Sequence, residues 1–250
     1  MLRPSSEGRG PTLGPATIFV EQGRIVRVVD AHAECDEDFG DRLITPAFVN
    51  AHTHLPLAFA RGLPVPDAGS ANRVEELFFA LERRLTREQV LAFARMGAYE
   101  SLLAGVGFVW DHYYYADAVA QALAETGLCG AVAPTLQDLA GPGTHVWEDA
   151  LALTESLADD RDAADRGIVA ALGPHATDTV SDSLWATIGE LAHRKSLPVH
   201  FHLGQSLEEV ERAHAQASTT PLGRIQAAGV LEWEVPMLMA HAIFVSDEEL

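Results

Sequence analysis

Six apolar segments of strand length recur between helical stretches from Leu43 onward, and each runs into polar residues. The segments are 44–51, 106–110, 129–134, 168–172, 198–202 and 235–240. Amphipathic stretches at 115–126, 146–158, 181–195 and 221–229 separate the later ones. Thr86, with Gln89 three residues on, forms a capping box that opens another helix. Strands alternating with helices imply right-handed crossovers and a parallel sheet. Ahead of this body, Ala16–Asp30 reads as a hairpin turning at Glu21–Arg24, residues 1–14 as a frayed polar start and residues 31–43 as an acidic loop.

The polar residues fall at one end of the predicted strands. Of the 11 histidines, seven lie in or just after a strand: His52 and His54, His112 beside Asp111, His175, His200, His202 and His241. The third strand leads instead to Thr135, Gln137 and Asp138. In parallel α/β folds the carboxyl ends of the strands hold the active site. His52 and His54, two apart on a strand, present their rings to the same face. Together with His202 from across the sheet they make a three-histidine donor set, which leaves a fourth position open as catalytic zinc sites do. A metal there lowers the pKa of a bound water from about 16 to around 7. His241 is placed to hydrogen-bond that water, and His175 to orient a substrate. His200 reads as a packing residue deeper in its strand, and Asp111 and His112 as pocket wall. His32, His145, His193 and His214 fall in loops or helices and are expected to be solvated. Imidazoles alone do not separate zinc from iron or another first-row metal, so the expectation is one divalent transition metal, zinc first and iron second.

Composition narrows the partners. A formal net charge of −19 disfavours nucleic acid and anionic membranes. No apolar stretch reaches membrane-spanning length, and MLRPSSEGRGPTLG lacks the apolar core of a secretory signal. Cys35 and Cys129 are too few for a disulfide framework. The expectation is a cytoplasmic protein acting on a small molecule, with homo-oligomerisation left open.

Several motifs, in order, resemble one family. LITPAFVNAHTHL is similar to the PGFVNAHTHL metal motif of the amidohydrolase superfamily, and within it to the cytosine-deaminase-like branch of guanine and S-adenosylhomocysteine deaminases and triazine chlorohydrolases. Glu100 to Asp111 resembles its E-x-x-x-x-G-x-T-x-x-x-D stretch, and GPHATDTVS its GPHAPYTCS segment. LPVHFHLGQSLEEV resembles LPVHIHLAETxxEV, and MLMAHAIFVSDEEL the segment that carries the histidine assisting the water. The resemblance implies a TIM-type (β/α)8 metal-dependent hydrolase barrel that breaks C–N bonds other than peptide bonds. It carries the metal role onto His52, His54 and His202, the substrate role onto His175 and the water-assisting role onto His241.

The departures are informative. Ala47 replaces the motif's glycine. Gln205 stands where the family has its proton-shuttling glutamate, and a carboxamide has no proton to exchange in the useful range. No counterpart to the strand-eight aspartate is present. Ser246 to Glu249 reads as a capping box opening a helix just before Leu250, so the chain is expected to hold six of eight barrel units, as in a truncated reading frame. The expected layout is a partial N-terminal β domain over 1–43 and an incomplete barrel over 44–250. The expected reaction is deamination of a purine-, pyrimidine- or triazine-like ring by metal-activated water. The alternative is a fragment or pseudoenzyme that binds metal or ligand without turnover.

Overall fold

A computed structural model describes residues 2–3, 12–30, 33–63 and 74–250. Residues 4–11 of the polar start, and His32, lie outside the described residues. Contacts divide the chain into two units, Met1–Phe48 and Val49–Leu250.

In the first unit, strands β1 (Leu2–Arg3) and β2 (Thr12–Leu13) pair antiparallel, so the start is not simply frayed. The predicted hairpin is present as β3 (Thr17–Glu21) and β4 (Arg24–Val29), antiparallel. Its turn places Gln22 and Gly23 at positive φ, as a tight hairpin turn requires.

The second unit is an α/β layer arrangement. Strand β5 (Phe48–Thr53) is followed by helices α1 (Ala80–Glu82) and α2 (Arg87–Leu103). Then come β6 (Val106–Tyr113), α3 (Ala116–Thr126) and β7 (Cys129–Leu136). Helices α4 (Trp147–Asp159) and α5 (Arg161–Asp165) lead to the short strands β8 (Ile168–Ala170) and β9 (Gly173–Pro174). Helix α6 (Asp182–Lys195), strand β10 (Val199–Leu203), helices α7 (Leu207–Ala217) and α8 (Pro221–Ala227), and strand β11 (Met237–His241) complete it.

The sheet runs β5-β6-β7-β8, with β9 also on β7 and β10 parallel to β11. The two parts join through Leu172: its N–H donates to Pro198 O at 2.9 Å and its carbonyl accepts from His200 N at 2.8 Å. The fourth predicted strand is split because Pro134, opposite the break, has no N–H to give to the ladder. Among the described residues β5 and β11 are the two edges of this sheet. The arrangement is part of a (β/α) barrel, with strands outnumbering helical gaps as the alternation predicts.

Packing follows from the pattern. Thr86 and Gln89 make the predicted capping box: Gln89 N donates to Thr86 Oγ1 at 3.3 Å, and Thr86 N to Gln89 Oε1 at 3.0 Å. The buried face of α2, Val90, Ala94 and Ala98, meets Val119, Ala122 and Leu123 of α3 over β6 and β7. A Cβ on Gly97 would lie 2.6 Å from Leu55 O, so glycine lets α2 approach the turn that carries the first histidines. A second core joins Trp185 and Ile188 of α6 to Phe201 of β10. The predicted C-terminal helix is instead a turn: Glu249 N bonds Ser246 O at 3.1 Å, while Ser246 N reaches Glu249 Oε2 at 2.9 Å.

Candidate metal centre

Each strand delivers its polar residue to the same end of the sheet. His52 lies in β5, His54 just beyond it, His112 in β6, His175 after β9, His202 in β10 and His241 at the end of β11. One cavity is lined by His52, His54, His112, Thr135, His175, His202, Gln205 and His241. All six residues assigned roles from the sequence therefore line a single cavity.

The ring geometry is dense. His52 lies 4.9 Å from His54, 5.0 Å from His202 and 5.0 Å from His241, centroid to centroid. His241 stacks on His202 at 5.3 Å with 16° between planes. Ligand nitrogens of His52, His202 and His241 all lie within 4.8 Å of one another. His54 Nε2 is 3.3 Å from His202 Nε2. Two nitrogens bound tetrahedrally to one zinc at about 2.0–2.1 Å would be about 3.3–3.4 Å apart.

The tautomers can be assigned from partners. His54 Nδ1 bonds the backbone carbonyl of His112, and His202 Nδ1 bonds that of His175 at 2.6 Å. A carbonyl only accepts, so both Nδ1 atoms carry the proton. Both Nε2 atoms are then bare lone pairs, facing each other at 3.3 Å with no proton between them. A cation shared by the two removes that repulsion, and the donor set fits a divalent transition metal. His52 Nδ1 lies 2.7 Å from His200 Nε2; donation from His52 to His200 frees His52 Nε2 as the third ligand.

Burial keeps these rings neutral, as ligands must be. It lowers His52 to about 4 and His175 and His200 to about 3, with neighbouring imidazoles adding to the effect. His54 and His241 are lowered as well, and His112 and His202 well below the ordinary value, again chiefly through burial.

The remaining polar residues sort by contact. His200 is buried behind His52 and holds it by a hydrogen bond, a more specific task than packing. His112 lines the cavity, stacked 5.0 Å from His202, whereas Asp111 accepts from Leu55 N at 2.6 Å and so fixes the turn after His54. Asp138 caps α6 through Ser181, and Gln137 accepts from the Tyr114 hydroxyl at 3.1 Å. His145, His193 and His214 are exposed. His241 and Ala242 both sit at positive φ, 77° and 52°. For residues with a Cβ such backbone costs on the order of 1 kcal/mol each, held here by Ala242 N donating to Leu203 O at 2.8 Å.

Sequence reasoning did not find the other wall. Val74, Phe78, Phe79, Glu82, Tyr113 and Tyr114 line the cavity beside the histidines, Phe79 5.4 Å from His175 and Tyr113 6.2 Å from His54, ring to ring. Burial raises the Glu82 carboxyl to about 7. The segment 74–82 does carry a helical signal, Val74, Leu77, Phe78 and Leu81 at i, i+3, i+4 and i+7, which the strand-centred reading passed over; it begins as a π-helical turn over Val74–Phe79.

The model of the Amidohydrolase family matches residues 43–250. A 5-methylthioadenosine/S-adenosylhomocysteine deaminase of Moorella thermoacetica is 28% identical over 96% of this chain and 56% of its own length. The zinc-bound crystal structure of an adenosine deaminase from Xanthomonas campestris superposes with a TM-score of 0.65 at 26% identity, over 74% of this chain and 42% of that one. A guanine deaminase from C. acetobutylicum, solved with guanine in its active site, has a TM-score of 0.79 at 20% identity, over 99% and 62% of the two chains. The chain spans about half the length of the curated relatives it matches. No helix among the described residues is long and apolar enough to cross a membrane. Strand-end histidines, an open parallel sheet and the matched family pattern converge, and this chain belongs to the amidohydrolase family.

Proposed function

We propose that this chain contributes the metal-holding part of a hydrolase that releases ammonia, or another small leaving group, from a ring carbon of a nitrogen heterocycle. The observation that carries the reading is the His54–His202 pair, two proton-free nitrogens at 3.3 Å. His52, His54 and His202 would hold one divalent transition metal, zinc before iron. Such a metal supplies a water nucleophile at neutral pH. His241, stacked on His202 and half-way out of the protein, is positioned to accept and return a proton. His175, with Nδ1 2.9 Å from Thr179 Oγ1, keeps Nε2 for a ring nitrogen or an exocyclic group of the substrate. Gln205 offers both a donor and an acceptor to the ring but moves no proton. The aromatic wall of Phe78, Phe79, Tyr113 and Tyr114 suits a flat heterocycle. The deaminases among the relatives support a purine-like ring.

A binding role without turnover is the second reading, favoured by Gln205 in place of a titratable residue. Ammonia release from a purine, pyrimidine and triazine panel, with metal content measured in parallel, separates the two. The hydrolase reading expects release that disappears in His202→Ala together with the metal. Metal held at full stoichiometry with no product from any ring leaves the binding role.

A further inference from the structure

Among the charged side chains of helix α7, Glu209 and Arg212 are three residues apart and therefore on one face. Both reach the loop that follows His175. Glu209 is buried; its Oε1 accepts from Thr177 Oγ1 at 2.6 Å and its Oε2 from Gln205 N at 2.8 Å. Arg212 Nη1 donates to Asp178 Oδ2 at 3.0 Å and also to Glu75 Oε1. The Asp178 side chain keeps only 9% of its exposure, so this ion pair is largely shielded on one side.

Glu75 belongs to the Val74–Phe79 turn, which places Val74, Phe78 and Phe79 on the cavity wall. Behind that wall lies a second, smaller cavity, lined by Val74, Glu75 and Phe79 on one side and His175, Asp178 and Gln205 on the other. The Phe79 ring lies 5.4 Å from that of His175 beside this space, and the guanidinium adds a charged bridge between turn and loop. Without the cation, the Glu75 and Asp178 carboxylates would face each other and repel.

We propose that Arg212 is a positioning residue: by joining Glu75 to Asp178 it sets the distance between the aromatic wall and the His175 loop, and through it the affinity for substrate. This rests on the cavity being the substrate site. Arg212 and its two partners lie outside the lining of the histidine cavity, so its effect falls on binding and not on the chemical step.

Hydrogen–deuterium exchange on the metal-loaded chain tests the bridge directly, read over 74–82 with 90–103 as the internal reference. Arg212→Ala should speed exchange over 74–82 by about tenfold, the loss of one charge-assisted contact, and leave 90–103 unchanged. On any heterocycle that is turned over, KM should rise by about tenfold with kcat and metal content unaltered. Adding Glu75→Gln to Arg212→Ala should recover part of the loss, because it removes the repulsion, and Arg212→Lys should rescue partially. Should Arg212→Ala fail to fold, Glu75→Gln alone keeps the Asp178 contact and should loosen 74–82 in the same sense. Unchanged exchange over 74–82, equal acceleration over 90–103, or a fall in kcat at constant KM overturns the proposal. A protein that turns over no heterocycle defeats the hydrolase reading, while the exchange data still decide the bridge.

Discussion

Glu82 gives the most quantitative test of the cavity. Glu82 lines the same cavity as the histidines, and burial raises its carboxyl from 4.5 to about 7. Below about pH 4.5 it is protonated in both the folded and the unfolded chain. Between that value and about 7 the unfolded chain ionises while the folded chain keeps its proton. Stability is therefore lost as pH rises through this window, and the loss is complete above it. At about 1.4 kcal/mol per pKa unit, the full loss is about 3 kcal/mol. Glu82→Gln is neutral at every pH and escapes it. The stability difference, variant minus parent, should grow by about 3 kcal/mol from about pH 4 to about pH 8. For a chain of this size that is about 6–12 °C in Tm. The assay is denaturant or thermal unfolding of both proteins across pH with metal chelated, so that no nearby cation alters the field at the carboxyl. A difference that stays flat, or shrinks as pH rises, would falsify the placement of Glu82 in a desolvated wall.

Further outcomes are expected. Gln205→Glu, by placing a titratable group at a position that lines the cavity, should raise ammonia release by about 10²-fold or more; a slower variant would show that another residue carries the proton. Zn²⁺ added to chelator-treated protein at about 100-fold over its Kd should stabilise it by about 2.7 kcal/mol, and His54→Ala should abolish the gain; equal stabilisation of parent and variant would remove His54 from the ligand set. Thr86→Ala, which deletes the hydroxyl accepting Gln89 N, should cost about 1 kcal/mol by denaturant titration without changing metal content. No loss would mean that tertiary packing alone sets the start of α2.

The histidines were legible in the sequence because two simple periodicities place them. A two-residue repeat puts His52 with His54, and the strand-end rule for parallel sheets gathers His175, His202 and His241 to one mouth. Strand 106–113 was read three residues short because Asp111 and His112 are polar yet buried, so the apolar pattern ends before the strand does. The His52–His200 hydrogen bond was equally hidden: spacing puts His200 on the face of His202 but does not say which partner it meets across the sheet. Helix α7 reads as mostly polar surface, and its two organising residues show only through contacts 32 and 137 positions away in sequence. The aromatic wall at 74–82 has a helical period, Val74, Leu77, Phe78 and Leu81, but that spacing marks only a buried helix face and does not say which cavity the face lines.

The carbonyls that hold His54 and His202 carry a consequence for how such a site changes over generations. Their donors' tautomers are fixed by the main chain of His112 and His175, not by those side chains. Every residue has a carbonyl, so replacing either imidazole keeps the main-chain acceptor that fixes the tautomer of His54 or His202, while removing a ring that packs on His202. Side-chain identity at these two positions and the tautomer of the rings they hold can thereby change separately. A lineage built on this backbone could exchange the two side chains one at a time and still present the Nε2 lone pairs of His54 and His202 to the cavity.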